Sequence, residues 1–539
     1  MQLKIKNLIQ EALRNLNIKE VDFVIEHPAD LKMGDYSTNV AMVLAKTTKI
    51  NPKDLADKIA KEINKKLPKE ISKTEAVGGF INFYLSSEFF AGSSKEIIKD
   101  KNFGQNQNLK GQKIIVEHTD PNPFKEFHVG HLMPNVVGSA VARILEWNGA
   151  EVKQACYQGD VGLHVAKAVW GFVNSGDWNR SYALGSKAYD EDEKPKKEIE
   201  DINRKIYAKN SEVMSIYEAG KKLSLDNFEK IYEKLGTKFD FYFFESETAD
   251  FGKEIVEKNI GKIFEQGERG AVIFRAENFD KTLHTRVFIN SEGIPTYEAK
   301  ELGLAKIKYE KYKYDKSIII TGNEINDYFK VLLCAMKKIF PELAEKTLHF
   351  SHGMLRLPTG KMSSRTGDVI TAESLIEMVK EKVKGDESVA IGAIKYMILR
   401  QSIGGDIVFD IDKSVSTEGD SGVYLQYSYA RANSIIEKAK AEKISVSEKP
   451  PKDWETTELE KLLYRFPEVV SRAGAEFAPH HIVSYLTELA RAYNSFYGNN
   501  TIVDKNDSSS PYKVALSEAF SIVMKNGLNI LSIKAPERM

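Results

Sequence analysis

The sequence predicts a multidomain protein: an α+β N-terminal domain, an α/β middle domain with a helical insertion, and an all-α C-terminal bundle. Three observations predict it. A chain of 539 residues has room for about two to four domains. Between residues 113 and 160, strand, turn, helix and strand follow one another as a βαβ unit. From about residue 413 onward the chain is helical in pattern.

Composition narrows the function classes. There are 77 basic and 77 acidic residues, so contact with nucleic acid must come from local patches. Only Cys156 and Cys334 are present, which leaves neither a disulfide framework nor a cysteine zinc site. The histidines show no HExxH spacing, and no metal-ligand set is expected. The charged start Met1-Gln2-Leu3-Lys4-Ile5-Lys6 reads as an amphipathic helix rather than a signal peptide, and no apolar run reaches membrane-spanning length. A cytoplasmic protein is expected.

Residues 1–105 form the first domain. Leu3, Ile5, Leu8, Ile9, Leu13 and Leu16 give a helix its apolar face, and Asp22 to Glu26 has strand character. Asn51-Pro52 starts another helix, with Asn as N-cap and Pro at the first helical position. Gly78 to Leu85 is a turn entering a strand, and the polar stretch Lys101 to Gly111 reads as a linker.

The middle domain covers 109–412. Its first strand is Lys113 to Glu117 (KIIVE), followed by the turn Thr119-Asp120-Pro121-Asn122-Pro123. Val136, Val137, Ala140, Val141, Ile144 and Leu145 then recur at helical spacing until Asn148-Gly149 stops the helix, and a second strand runs from Glu151 to Tyr157. His128, Gly130 and His131 fall where the turn meets the helix. Helix N-termini attract phosphate, imidazoles donate hydrogen bonds to it, and a glycine lets a flat ligand approach the backbone.

The insertion, at about 175–262, is helical and charged. Glu191 to Lys197 is expected as a solvated loop, and Tyr207, Tyr217, Phe228 and Tyr232 as core. Strand character returns at Ala271 to Phe274 and Arg286 to Ile289. A helix carrying Tyr297 and Glu301 follows, and then the apolar strand Ser317 to Thr321. Strands alternating with helices indicate a doubly wound, Rossmann-like sheet, whose ligands sit at the carboxyl ends of its strands. Lys306 to Lys316 is expected as a solvated helix end.

A second phosphate element lies at Gly360-Lys361-Met362-Ser363-Ser364-Arg365. Lys361 offers a point charge and the serines offer hydroxyls, but Met after the Lys rules out a Walker A loop.

HVGH followed by KMSSR is similar to the HIGH and KMSKS motifs of class I aminoacyl-tRNA synthetases. VEHTDPNPFKEFHVGHL resembles the arginyl-tRNA synthetases, and LKMGDYSTN and GGFINFYL resemble their N-terminal domain, which reads the tRNA elbow. RFPEVV, APHHIVSYLTELARAYNSFY and KNGLNILSIKAPERM resemble their DALR-type anticodon-binding domain. The resemblance covers nearly the whole chain. It implies that domain 413–539 reads the anticodon and that arginine is joined to tRNA through an ATP-derived adenylate. The partners it implies are tRNA(Arg), arginine and ATP carrying Mg²⁺, with the chain acting as a monomer and without a membrane.

The resemblance also distributes roles among residues. His128, His131, Lys361 and Lys125 are catalytic candidates, Lys125 making up for Ser364 where the family has a second Lys. Gly130, Gly322, Met354, Ser363 and Ser364 join the histidines and Lys361 around ATP. Glu117, Asn122, Tyr297 and Glu301 are candidates for arginine, Glu301 standing where the family usually has Asp. Tyr424, Gln426, Tyr493, Asn494, Tyr497 and Met539 are candidates for tRNA contact. Three other readings compete. A non-catalytic tRNA-binding relative would be expected to have lost His128, His131 or Lys361, and all are present. A cysteinyl enzyme would want a zinc-binding cysteine set, and a small-molecule nucleotidyltransferase would have no use for the helical C-terminal domain.

Overall fold

The computed structural model describes residues 1–358 and 370–539. At the N-terminus β1 (Ile25–Glu26), β2 (Tyr36–Thr38), β3 (Ile71–Val77) and β4 (Phe80–Leu85) form an antiparallel sheet in the order β1-β2-β4-β3. Ile5, Ile9, Leu13, Leu44, Leu55 and Ile59 from three helices close one core with Tyr36, Ile81 and Phe83. The Asn51 side chain accepts the Lys53 N–H and Pro52 sits in the first turn, so that helix starts where its cap residues place it. The strand expected over Asp22 to Glu26 shrinks to its last two residues.

Residues 101–111 are packed rather than slack. Asn526 donates to the carbonyls of Lys101 and Phe103 at 3.1 Å, Asn106 to Asn148 at 3.0 Å and Asn108 to Ser471 at 2.8 Å. The polar side chains that make this stretch look like a linker are used to tie it down. The N-terminal domain also meets the C-terminal helices directly, with Glu468 accepting from Tyr36 at 2.7 Å and bonded to His27 at 3.0 Å.

In the middle of the chain come β5 (Lys113–Glu117), β6 (Glu151–Gln158) and β7 (Phe241–Phe244). Next, β8 (Glu265–Gln266), β9 (Val272–Phe274) and β10 (Arg286–Ile289) form a small antiparallel sheet of their own. The strands read at 271–274 and 286–289 therefore do not enter the doubly wound sheet. That sheet is completed by β11 (Lys316–Gly322) and β12 (Thr347–His352), in the parallel order β12-β11-β5-β6-β7.

Because β7 lies inside the stretch read as insertion, only part of 175–262 stands apart. Val165, Val169, Ile199, Ile206 and Tyr217 build a separate helical core. Phe228, Ile231, Tyr232 and Leu235 belong to the main one. Glu191 to Lys197 is not a loop. Asp192 caps the helix Glu193–Tyr207 by accepting the Lys194 N–H at 2.9 Å, and Pro195 in the first turn removes no helical hydrogen bond.

The helix Val129–Trp147 is buried along almost its whole length. It lies against the sheet on one side and the helices Glu387–Leu399, Phe466–Glu476 and Ser510–Ile530 on others. Gly138 is where it closes on His118: a Cβ there would come within 2.2 Å of the imidazole Cγ. Relieving helical glycine's conformational freedom is worth about 0.5–1 kcal/mol, less than an overpacking cost of about 1–3 kcal/mol. Gly138→Ala should therefore lower the thermal unfolding midpoint, and an unchanged or raised midpoint would show that His118 moves aside without cost.

Two helices from different parts of the chain end facing one another. Leu235 and Gly236 close the helix Ser211–Leu235, while Asn529 and Ser532 close the helix Ser510–Ile530. Carbonyls at helix C-termini lack internal partners and carry the negative end of the dipole. Here two basic side chains bridge them. Arg143 donates to the Asn529 carbonyl at 3.0 Å and to Gly236 at 3.3 Å. Lys395, buried, donates to the Leu235 carbonyl at 2.6 Å and to Ser532. Among the described residues, no helix is long and apolar enough to cross a membrane.

Candidate active site

The turn between β5 and the helix Val129–Trp147 is strained. Thr119, Asp120 and Phe124 have φ of 81°, 43° and 69°, in the left-handed region that side chains avoid. Side chains hold it there. Asp120 accepts the Tyr157 N–H at 2.7 Å, Thr119 accepts from Asn135 at 3.1 Å, and Ser224 accepts the Phe124 N–H at 2.9 Å.

The strained turn delivers His128 as the N-cap. Its Nδ1 accepts the Gly130 N–H at 3.1 Å, while His131 Nδ1 accepts the His128 N–H at 3.3 Å. Two histidines thus make a reciprocal capping box, with rings stacked at 3.8 Å. Since each Nδ1 is an acceptor, the proton of each neutral ring sits on Nε2. Burial pushes both imidazoles below the ordinary histidine range, His131 further, with Lys125 adding to the effect on each. The pair is therefore neutral near pH 7, with two N–H donors to offer. Gly130 has a second reason to be glycine: a Cβ would lie 2.8 Å from the His128 ring.

Lys125 is partly buried, its ammonium 5.0 Å from the centre of the Tyr182 ring, and burial lowers its pKa. Gly322 ends β11 and Met354 follows β12, so both reach the carboxyl edge of the sheet beside β5. Lys361, Ser363 and Ser364 lie outside the described residues. Just after that segment, Ile370 accepts the Val129 N–H at 3.2 Å and Thr371 bridges to His128.

The candidates for arginine come from β5, the turn and the helix Tyr297–Lys311. Tyr297 is 56% exposed and Glu301, one turn on, is half-buried. Burial raises the Glu301 carboxyl well above the ordinary range, and Glu117 raises it further. Among the described residues Glu301 has no hydrogen-bonding or ionic partner. Asn122 faces Gly159, where a Cβ would fall 2.4 Å from its Oδ1.

Glu117, by contrast, is not open to a ligand as expected. It is 1% exposed and its Oε2 accepts from Lys308 at 2.7 Å. Within the solvated helix end expected at Lys306 to Lys316, Lys308 is the exception on the helix, being buried. Four further charged residues were not among the site candidates of the sequence. Glu245 pairs with Lys300 at 2.6 Å, and Asp160 accepts from Lys221 at 2.7 Å and from Tyr217 at 2.9 Å. The one legible signal was spacing, since Lys308 lies seven residues after Glu301 and so on the same helical face.

In the C-terminal bundle the candidates divide. Gln426 is fully buried, donating to the Lys534 carbonyl at 2.8 Å, and Tyr493 is buried in a stack with Phe520 at 3.9 Å. Neither can meet RNA, because each is spent on the core. Tyr424 is half-buried, and Asn494 is held between Ser428 and Arg431. Tyr497 and Met539 are exposed. Tyr427 faces solvent with Tyr497, and the Arg431 guanidinium lies 4.7 Å from one ring and 4.8 Å from the other.

Comparison with known proteins sets this geometry in context. Residues 94–411 match the family model for the catalytic domain of class I (R) tRNA synthetases. Residues 3–85 match the arginyl tRNA synthetase N-terminal domain, and 425–539 the DALR anticodon binding domain. The chain is 29% identical to the arginine–tRNA ligase of Halothermothrix orenii over 570 residues, covering 99% of each. It is also 29% identical to that of Clostridium perfringens, covering 99% of this chain and 100% of the relative. In fold it is similar to the Thermus thermophilus arginyl-tRNA synthetase, with a TM-score of 0.79 at 22% identity over all of both chains. The Plasmodium falciparum arginyl-tRNA synthetase gives 0.78 at 20% identity, covering 99% of this chain and 98% of that one.

Proposed function

The chain belongs to the arginyl family of class I tRNA synthetases, and from that premise we infer that it attaches arginine to its tRNA in two steps. In the first, an oxygen of the arginine carboxylate bonds to the α-phosphorus of ATP and the bond to the β-phosphate oxygen breaks. Pyrophosphate leaves and arginyl-adenylate remains. In the second, a hydroxyl of the terminal tRNA adenosine attacks the arginyl carbonyl carbon, and AMP leaves. No covalent enzyme intermediate is needed, so the work of the protein is positioning and charge stabilisation.

The observation that carries this reading is the stacked histidine pair. With both Nδ1 atoms occupied by backbone, the Nε2–H groups are the donors left for phosphate oxygens in the transition state. Around them we assign Gly130, Gly322 and Met354 to the nucleotide and Lys125 to the phosphates, the role that the KMSSR motif also implies for Lys361, Ser363 and Ser364. Among the described residues no three His, Cys, Asp or Glu side chains gather as a metal site. Mg²⁺ is assigned to the triphosphate of the substrate on the chemistry of ATP.

Glu301, with Tyr297 beside it, receives the guanidinium, and Asn122 holds the amino-acid end. Glu117, paired with Lys308 at the end of β5, lies beside Glu301 at this end of the site. For tRNA, the surface of Tyr427, Arg431 and Tyr497 offers rings and a cation to unpaired bases. Tyr424, Asn494 and Met539 flank it within domain 413–539, while domain 1–105 takes the tRNA elbow. The chain acts as a monomer in the cytoplasm. Aminoacylation of total tRNA with each labelled amino acid tests the central reading: arginine alone should be attached, and attachment of another amino acid in its place would overturn it.

A further inference from the structure

The stretch from His352 to Arg356, which leaves β12 in the direction of the KMSSR motif, is held by a part of the chain outside the central sheet. That part is the strap 400–410, which joins the helix Glu387–Leu399 to the C-terminal helices. Two short strands, β13 (Leu355–Arg356) and β14 (Ile407–Val408), pair in parallel there. The Ile407 N–H donates to the Met354 carbonyl at 2.8 Å and the Phe409 N–H to the Arg356 carbonyl at 2.7 Å. One step earlier the contact is closer still. A Cβ on Gly353 would fall 2.3 Å from the Gly405 carbonyl oxygen, so glycine is what lets the two backbones meet.

The peptide unit between Gly353 and Met354 is fixed at both of its polar ends. His352 Nδ1 donates to the Gly353 carbonyl at 2.7 Å, and the Met354 N–H donates to Asp406 Oδ1 at 2.8 Å. The other oxygen of Asp406, Oδ2, meets Arg356 Nη2 at 2.8 Å. One carboxylate thus grips the strand at alternate residues, by main chain at 354 and by side chain at 356. On the reading that Met354 meets ATP, we propose that Asp406 is a positioning residue for adenylate formation: its carboxylate holds the Met354 peptide in the orientation the nucleotide needs. A peptide unit bonded at both ends cannot turn when ATP arrives, so its ordering is complete before binding. Among the described residues the Met354 N–H has no other acceptor. The two bonds of Asp406 are unequal. A charge-assisted bond to a backbone N–H is the stronger, because the Arg356 and Asp406 side chains are 40% and 42% exposed and water screens their pairing. Use of ATP should therefore follow the acceptor for Met354 rather than the ion pair.

Steady-state aminoacylation with ATP and arginine varied separately tests this. Asp406→Ala should raise the KM for ATP about tenfold, the loss expected for a hydrogen bond to a charged group, and leave the KM for arginine within about twofold. Asp406→Asn keeps an acceptor for the Met354 N–H and gives up the charge, so its ATP KM should lie within about threefold of wild type. Arg356→Gln removes the ion pair alone and should likewise stay within about threefold. These half-exposed side chains lie outside the core, and the thermal midpoint of each variant should stay near that of the wild type. If Asp406→Ala does not fold, Asp406→Ser takes its place, since a hydroxyl one bond nearer the backbone falls short of the N–H. An ATP KM unchanged on loss of the carboxylate, or raised equally in Arg356→Gln or Asp406→Asn, would overturn the proposal. So would an arginine KM that rises in step with that for ATP, the mark of a loosened fold. Failure of the wild-type chain to charge arginine would instead overturn the functional reading, so the two failures are told apart.

Discussion

Glu301→Gln should lower kcat/KM for arginine at least a hundredfold while changing the KM for ATP by no more than a few-fold. The substitution keeps the volume and removes the charge. A guanidinium presents several N–H donors in a fixed planar fork, and a carboxylate can take two of them in charge-assisted bonds. An amide offers one acceptor and sets an N–H against the other donor. Leaving one member of a buried charge pair alone costs roughly 3–5 kcal/mol, and about 1.4 kcal/mol is tenfold in an equilibrium, so even the lower figure exceeds a hundredfold. Lysine should gain little in this variant, because the substitution removes a negative charge and adds none for its ammonium. Arginylation within a few-fold of wild type would show that Glu301 is a wall residue and that the fork is met elsewhere.

His131→Ala should reduce kcat by about one to three orders of magnitude, the range for loss of one preorganised donor to developing charge. Alanine removes two things at once, the Nε2–H and the Nδ1 that accepts the His128 N–H. His131→Asn separates them. Its side-chain oxygen can restore the cap, as Asn commonly does at helix starts, without putting a donor where Nε2 was. Stability should therefore recover in the Asn variant while kcat stays low, measured as thermal midpoint and as turnover in aminoacylation. Lys361→Ala should fall in the same range. If His131→Asn regained both stability and turnover, the histidine would be a helix cap and nothing more.

Much of the frame was legible because it obeys local rules. The helix from Val129 shows its spacing, the strand Ser317 to Thr321 its apolar run, and Asn51-Pro52 its cap. What stayed hidden depends on partners far away in sequence. Phe241–Phe244 is four residues long and adjoins helices on either side, so nothing local marks it as the edge of the central sheet. Lys308 sits among lysines and tyrosines that read as solvated, and only the carboxylate 191 positions earlier makes it a buried residue. Gln426 and Tyr493 share the composition of an RNA-reading surface, yet their neighbours Lys534 and Phe520 draw them inside. Tyr427 and Tyr497 cannot be told from them by residue type. Exposure separates the two pairs, and exposure is a property of the assembled bundle.

The bridge from Arg143 and Lys395 to the carbonyls of Asn529 and Ser532 bears on how the molecule comes into being. A ribosome makes the chain from residue 1 onward, and domains tend to fold as they emerge. Here the helix that begins with the two histidines appears early, while the acceptors for its Arg143 are among the last groups to be made. Until residue 532 is out, Arg143 and Lys395 each lack two of their three acceptors, and a buried polar group without partners is unstable. The nascent enzyme should thus remain open at this joint through most of its synthesis. Completion of the active-site helix is coupled to arrival of the anticodon-reading bundle, so a chain interrupted before that point should be left with an unfinished catalytic centre rather than an active one lacking its RNA-reading half.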